Sequence, residues 1–328
     1  MQYKSNKGFT GISQLGIFIA CMGTGLILMS LCQLIIRQFM VPSGTALGGM
    51  EAFLEKAIKD PAYSGLIILM QFFGAFFIFF VPAILFSGIS NGWNKFWLGF
   101  NKYLNPIQIL IGFIIIFFAN IFAIPFEAFT KSIVAPFPSI YNLATSLEKN
   151  YDQNVAIFGS LHSVSGFIVG IMITAFLPAL FEETMFRGVL QNFLTRWWKK
   201  PFMAILVISI IFSFIHGSIF MFIPRAILGF ALGLMFYYTK NIWVNIVAHF
   251  LNNMIAFFEL FFMDSKEKAA QQHQNITSID WLYGLAAAVA LFFLFRYLYN
   301  LSGTNRKKIE EREQVLLKRD FDFTNSLN

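Results

Sequence analysis

The sequence predicts an all-α, polytopic integral membrane protein of about eight transmembrane helices, and three observations predict it. The first is composition: 57% of the 328 residues are hydrophobic, only 12% are charged, and 43 are Phe. Soluble domains average about 45–50% apolar and about 25% charged residues, so this chain has too few charged side chains to cover a water-exposed surface. The second is a series of apolar runs long enough to cross about 30 Å of hydrocarbon, which takes about 20 residues of helix. The third is the scarcity of ionisable residues within those runs, where they gather into three short motifs. Intrinsic disorder is excluded by the 18% aromatic content, since disordered chains are poor in aromatics. Nucleic-acid binding is a poor use for the +7 net charge, because a basic groove needs Lys and Arg clustered on one folded face.

The apolar runs lie at 12–36, 64–88, 106–126, 164–186, 202–222, 224–239, 241–262 and 279–299. They exceed strand length, and a spanning segment must satisfy its backbone polar groups internally, so all eight are read as helices. The 224–239 run is confined between Pro224 and Lys240 and is expected to be tilted, short or partly re-entrant. Lys4 and Lys7 precede the first run in the manner of a signal peptide, and Phe18-Ile19-Ala20-Cys21 faintly resembles a lipoprotein cleavage site. Apolar residues continue to Ile36, too far for a cleaved segment, so a retained first span is expected. Cys21 and Cys32 would lie roughly 16 Å apart along one helix, beyond the reach of a disulfide. Residues 38–62 and 127–157 read as moderately polar outer loops, 263–278 as a shorter one, and the tail from Asn305 as a short solvated helix. The chain is read as one structural domain in three parts: N-terminal helices and outer loops over 1–163, a core over 164–262, and a last helix with a charged tail over 263–328.

Charge placement gives the sidedness. With eight spans, Lys4, Lys7, Lys95, Lys102, Arg196, Lys199, Lys200, Lys240 and the basic residues of the tail share one side. The other side carries fewer: Arg37, Lys56, Lys59, Lys131, Lys149, Arg225, Lys266 and Lys268. The positive-inside rule makes the first side cytoplasmic, with both termini. The net charge thus reports topology and implies no acidic partner.

A charged group inside a membrane costs at least about 2.5 kcal/mol, so it has a partner or a purpose. The middle runs contain Glu182, Glu183, Arg187, His216, His249 and Glu259, and two of the protein's four histidines are among them. Glu183 and Arg187 are four apart and share a helix face, where an ion pair can form. Glu182 is turned about 100° away and is left free, and an unpaired carboxylate in a dry cavity is suited to general-base work. Phe212 stands one turn before His216, and His249 stands one turn before Asn253, so the latter two side chains point the same way. Glu182 and His216 are each roughly 21–27 Å from the basic cluster Arg196-Lys199-Lys200, so they are expected at one depth; His249, nine residues past Lys240, is expected about 10 Å shallower unless that loop is recessed. Each motif alone is also compatible with a helix end at the interface or with interhelical polar contacts. No role is assigned to Glu259.

Together, Glu182-Glu183-x-x-x-Arg187, Phe212-x-x-x-His216 and His249-x-x-x-Asn253 resemble the three motifs of the CAAX protease and bacteriocin-processing (CPBP, or abortive infection) family, intramembrane proteases related to the eukaryotic Ras-converting enzyme. The resemblance covers about residues 165–260. It implies a helical membrane core around a water-accessible, polar active-site cavity. It implies an intramembrane endopeptidase in which Glu182 and His216 activate a water, His249 and Asn253 donate hydrogen bonds to the oxyanion, and Glu183 with Arg187 holds the helix in place. The implied partners are the lipid bilayer and a hydrophobic peptide or a lipidated or membrane-anchored protein, with no nucleic acid; the bacterial inner membrane is the expected location. Glu182, His216 and His249 also make a known catalytic zinc set, but no HExxH is present, and the reading leans to a metal-free mechanism with no cofactor assigned. A different class of function, a transporter or a non-catalytic immunity or scaffold protein, could use the same polar residues. A transporter would be favoured by inverted repeats and paired broken helices, and neither is visible in the sequence.

Overall fold

The computed structural model describes residues 3–41, 60–159, 163–262 and 277–325, and among these it contains helices and no strand beyond one isolated bridge between Lys4 and Thr10. We number the helices α1 Gly11–Met40, α2 Ser64–Asn91, α3 Pro106–Val134, α4 Pro138–Gly159, α5 Val164–Trp198, α6 Pro201–Ile215, α7 Phe222–Thr239, α8 Ile242–Phe262 and α9 Ser278–Asn325. Local chemistry sets their starts. Thr10 caps α1 by accepting from the Ser13 amide, and Asn105 and Gln108 form a capping box ahead of Pro106, satisfying amides that the first turn leaves orphaned. Lys199 and Lys240 take left-handed backbone angles (φ 56° and 52°) and end α5 and α7.

Each predicted run contains a helix, but six of the described helices, rather than eight, are long and apolar enough to cross a membrane: α1, α2, α3, α5, α7 and α9. α6 has 15 residues. It stops short of the predicted 222 because Gly217 turns the chain at φ 65° and Ser213 Oγ donates to the Phe222 carbonyl at 2.5 Å. α8 is a continuous 21-residue helix whose apolar run is broken by Asn245, His249, Asn252 and Asn253. The 224–239 run, expected to be marginal, is a complete 18-residue helix once Phe222 and Ile223 are added. The expected outer loop over 127–157 is instead helical, forming the end of α3 and most of α4. The tail is the continuation of α9, not a separate short helix. Most of the 38–62 loop and the 263–278 loop lie outside the described residues.

Two apolar cores flank the site. One joins α1, α2, α5 and α6 around Phe86, Trp97, Leu98, Phe186, Phe193 and Phe212. The other joins α3, α7, α8 and α9 around Ile115, Ile116, Leu232, Met235, Val244 and Leu298. Outward faces are apolar too: Ile12, Ile19, Ile27, Leu34 and Phe39 of α1 are all exposed. Such a continuous apolar face is unsuited to water and suits lipid. Trp93, Trp198 and Trp243 are exposed beside Lys95, Lys199 and Lys240, the aromatic-plus-basic composition of a membrane interface.

Candidate active site

α5 positions the two carboxylates. Pro178 has no N–H to give residue 174, and its ring would crowd that carbonyl in a regular helix. The helix runs into it through a wide π segment, Met172–Phe176. A second π segment, Thr184–Gln191, follows the glutamates; such segments are frequent at functional sites. It carries two long polar side chains against α7. Arg187 Nη2 donates to the Gly229 carbonyl at 3.0 Å, and one turn on Gln191 Nε2 donates to the Gly233 carbonyl at 2.8 Å. Both acceptors belong to glycines one turn apart, and this small-residue stripe lets α6 and α7 approach closely.

The predicted pair forms: Arg187 Nη1 donates to Glu183 Oε1 at 2.7 Å, with both side chains wholly buried. The guanidinium also lies 4.9 Å from the centre of the Phe212 ring, a cation–π contact. Glu183 has more partners than its spacing from Arg187 implied. His249 Nδ1 lies 2.9 Å from Glu183 Oε1, and Asn245 Nδ2 donates to Glu183 Oε2 at 3.2 Å. Glu183 therefore has three hydrogen-bonding partners, and one of them is an imidazole of the proposed site.

Glu182 is the opposite case. It is buried, and its Oε2 has no hydrogen-bond partner among the described residues. His216 Nε2 and His249 Nε2 each lie 3.9 Å from that oxygen. This is too long for a hydrogen bond and suits a bridging water. His216 is fixed by its other nitrogen, which donates to the Phe212 carbonyl at 2.6 Å. With Nδ1 of each ring committed to an acceptor, both Nε2 atoms face Glu182. His249 Nε2 is as near to Glu182 Oε2 as His216 Nε2 is, so the exception allowed for the loop before α8 applies. The turn after Lys240 is tied to residues 99–103, where Asn241 Nδ2 donates to Asn101 Oδ1 at 3.0 Å and Asn101 Nδ2 to the Lys240 carbonyl at 2.9 Å.

These groups line a cavity of about 470 Å³ that also takes in Asn253, Arg225, Gln71, Asn120 and Asn252. Asn120 Nδ2 donates to Asn252 Oδ1 at 2.6 Å across it. Glu182, His216, His249 and Asn253 are thus brought together, while Glu259 is exposed and stands apart. Sequence reasoning missed Asn245, although its signal was present: it stands four residues before His249, as Asn253 stands four after.

For the zinc alternative, tetrahedral bonds of about 2.0–2.2 Å put ligand atoms about 3.3–3.6 Å apart. The carboxylate and imidazole atoms here are wider at 3.9 Å. Among the described residues no group of His, Cys, Asp and Glu is gathered so as to hold a metal ion. The arrangement does not fit zinc as it stands.

The site thus belongs to a helical membrane protein with a carboxylate facing two oriented imidazoles. Residues 164–255 match the family model described as Type II CAAX prenyl endopeptidase Rce1-like. The match bears out the resemblance drawn from the three motifs, spans α5 to most of α8 and contains Glu182, Glu183, Arg187, His216, Asn245, His249 and Asn253. It supports a CAAX-type membrane protease activity. No curated protein and no solved structure matches the chain.

Proposed function

We propose that the protein is an intramembrane endopeptidase that hydrolyses a peptide bond of a membrane-associated peptide or protein with a water activated by Glu182 and His216. The observation that carries this reading is the buried Glu182 Oε2, without a hydrogen-bond partner among the described residues and 3.9 Å from two imidazole nitrogens. A water held between Glu182 and His216 gives its proton to Glu182, and its oxygen forms the new bond to the scissile carbonyl carbon. The carbonyl oxygen becomes an oxyanion, which accepts hydrogen bonds from His249 and Asn253. Glu182 then passes the proton to the leaving nitrogen as the C–N bond breaks. Donation from His249 Nε2 requires both ring nitrogens to carry protons, and the Glu183 carboxylate on Nδ1 supplies the counter-charge. One such donor in a dry site is worth about 2.7–4 kcal/mol of barrier.

The cavity walls suit an extended apolar segment, with Ile116, Ile173, Leu228, Leu232 and Phe257 around the polar groups. Behind the His216 turn a second cavity of about 570 Å³, lined by Ile133, Leu147, Phe214, Ile219, Phe222 and Ile223, is almost wholly apolar. Its dimensions and lining support a substrate that carries a hydrocarbon chain. The excess of Lys and Arg on one set of loops supports a cytoplasmic placement of both termini. The test is cleavage of a quenched-fluorescent, S-farnesylated peptide ending in a CAAX sequence by purified protein in detergent. Product formation by the native chain and none by Glu182→Gln supports the reading; equal rates overturn it.

A further inference from the structure

Asn245 is wholly buried on α8, one turn before His249. Its Nδ2 has two acceptors, the Leu232 carbonyl at 2.7 Å and Glu183 Oε2 at 3.2 Å. Two acceptors at one end of the amide settle which way it points, because only the NH2 group can serve both. Its Oδ1 is then buried with no partner among the described residues, an arrangement that packing alone would not favour. Glu183 Oε1 meanwhile receives Arg187 Nη1 and His249 Nδ1. With both oxygens held, the carboxylate cannot swing about its last torsion, and the imidazole bonded to it is held in turn. We propose that Asn245 is a positioning residue for the reaction, fixing Glu183 so that the His249 ring keeps Nε2 toward Glu182. The inference rests on the endopeptidase reading above. Asn245 touches neither substrate nor water in this scheme and acts only through its neighbour.

The experiment compares native protein, Asn245→Leu and Asn245→Asp on the farnesylated CAAX peptide, with thermal unfolding recorded for each. Asn245→Leu keeps the branched shape, in a somewhat larger volume, and removes the donor. It is expected to lower kcat by at least about tenfold and leave KM within about twofold, the pattern of lost transition-state alignment, with little change in unfolding temperature. Asn245→Asp is isosteric and places an acceptor against Glu183. Two carboxyls at that distance share one proton, so acidification restores an O–H donor to Glu183. The charged and titratable groups facing this point are Arg187 and Glu183 on α5 and His249 on α8, with Glu182 beside them, and all are present in the native control. The activity of Asn245→Asp relative to native is expected to rise at least about threefold between about pH 8 and about pH 6, while the Asn245→Leu ratio stays flat. Native-like kcat in Asn245→Leu, a loss confined to KM, or flat ratios for both variants would overturn the inference. If Asn245→Leu does not fold, the pH ratio of the isosteric variant decides alone. If folded native protein cleaves nothing, the endopeptidase reading falls and the inference falls with it, an outcome distinct because the control itself is inactive.

Discussion

Glu183 and His249 meet at 2.9 Å, Oε1 to Nδ1, although 66 residues separate them in the chain. The contact ties the buried ion pair of α5 to the imidazole of α8 and makes two adjacent carboxylates chemically unequal. Glu183 has three donors and no remaining freedom. Glu182, the preceding residue, has a buried oxygen with no partner among the described residues. A group already saturated with donors is a poor proton acceptor, and one left bare in a cavity beside two imidazoles is poised to be one.

Glu182→Gln should therefore separate chemistry from stability. The substitution removes the proton acceptor while leaving shape and packing alone, and no hydrogen bond of Oε2 is lost. Turnover should fall by about a thousandfold or more, in the range seen when an essential group is removed. The unfolding temperature in detergent should stay level or rise, because an unpaired buried carboxylate is a liability to the fold. Turnover near the native rate would remove Glu182 from the mechanism.

Arg187→Ala should do the reverse to stability. The guanidinium is the cationic partner of a wholly buried carboxylate, and removing one member of such a pair leaves an uncompensated charge, typically at a cost of about 3–5 kcal/mol. The variant also loses the bond to the Gly229 carbonyl. A large drop in the thermal midpoint is expected, with activity lost only in proportion to the unfolded fraction and to the loosened Glu183. An unchanged midpoint would show that the pair is not structural.

Metal chemistry is tested by composition and inhibition together. Because His216 Nε2 and His249 Nε2 each stand 3.9 Å from Glu182 Oε2, wider than ligand atoms on a tetrahedral zinc, purified active protein should carry much less than one zinc per chain. A strong chelator should leave the rate on the farnesylated peptide unchanged. Stoichiometric zinc, with activity lost on chelation and restored by zinc alone, would overturn the metal-free mechanism.

What could be read from the sequence was what depends on short spacing and on composition. Glu183 and Arg187 are an i, i+4 pair, so their contact followed from helix geometry, and the freedom of Glu182 followed from the same count. The eight apolar runs located every described helix but α4, which is polar and was read as part of a loop, since burial in lipid leaves an apolar run few other choices. The count of eight spans is not confirmed, since six described helices are long and apolar enough and local chemistry shortens others, as at Gly217, just past the end of α6 inside an apolar stretch. The placement of His249 was left conditional on the loop before α8, because that loop is held by Asn101 and Asn241 through bonds across about 140 residues. The Asn245 contact depends on how α8 is rotated against α5, and no spacing rule within one helix fixes that.

Lys240 should be a site of easy stabilisation. It is a non-glycine residue with φ 52°, a conformation that costs an L-residue about 1–2 kcal/mol. Burial, with Arg196 nearby adding to it, holds its ammonium below the usual lysine range. A lysine with a lowered folded pKa opposes folding most fully when the pH is below that folded value. The opposition fades as pH rises through it toward the unfolded value of about 10.4. Lys240→Gly should raise the unfolding temperature at neutral pH, and its advantage should shrink in alkaline buffer without vanishing, since the backbone share is independent of pH. No gain at neutral pH would refute both contributions.

Gly233→Ala tests the close approach on which the Arg187 and Gln191 rungs depend. A Cβ at Gly233 would stand 2.6 Å from Ile205 Cγ2 and 3.1 Å from Gln191 Oε1. Ile205 is wholly buried on α6, so it has no room to retreat and the helices must separate. Overpacking of this kind costs about 1–3 kcal/mol. The separation also draws the Gly229 and Gly233 carbonyls away from Arg187 and Gln191, so activity should fall along with the thermal midpoint. Gly303→Ala on α9 is the control. Nothing lies within 4 Å of its added Cβ, and replacing a helix-interior glycine by alanine there should stabilise by about 0.5–1 kcal/mol. If both substitutions behave alike, α6 and α7 are not held together by the glycine stripe.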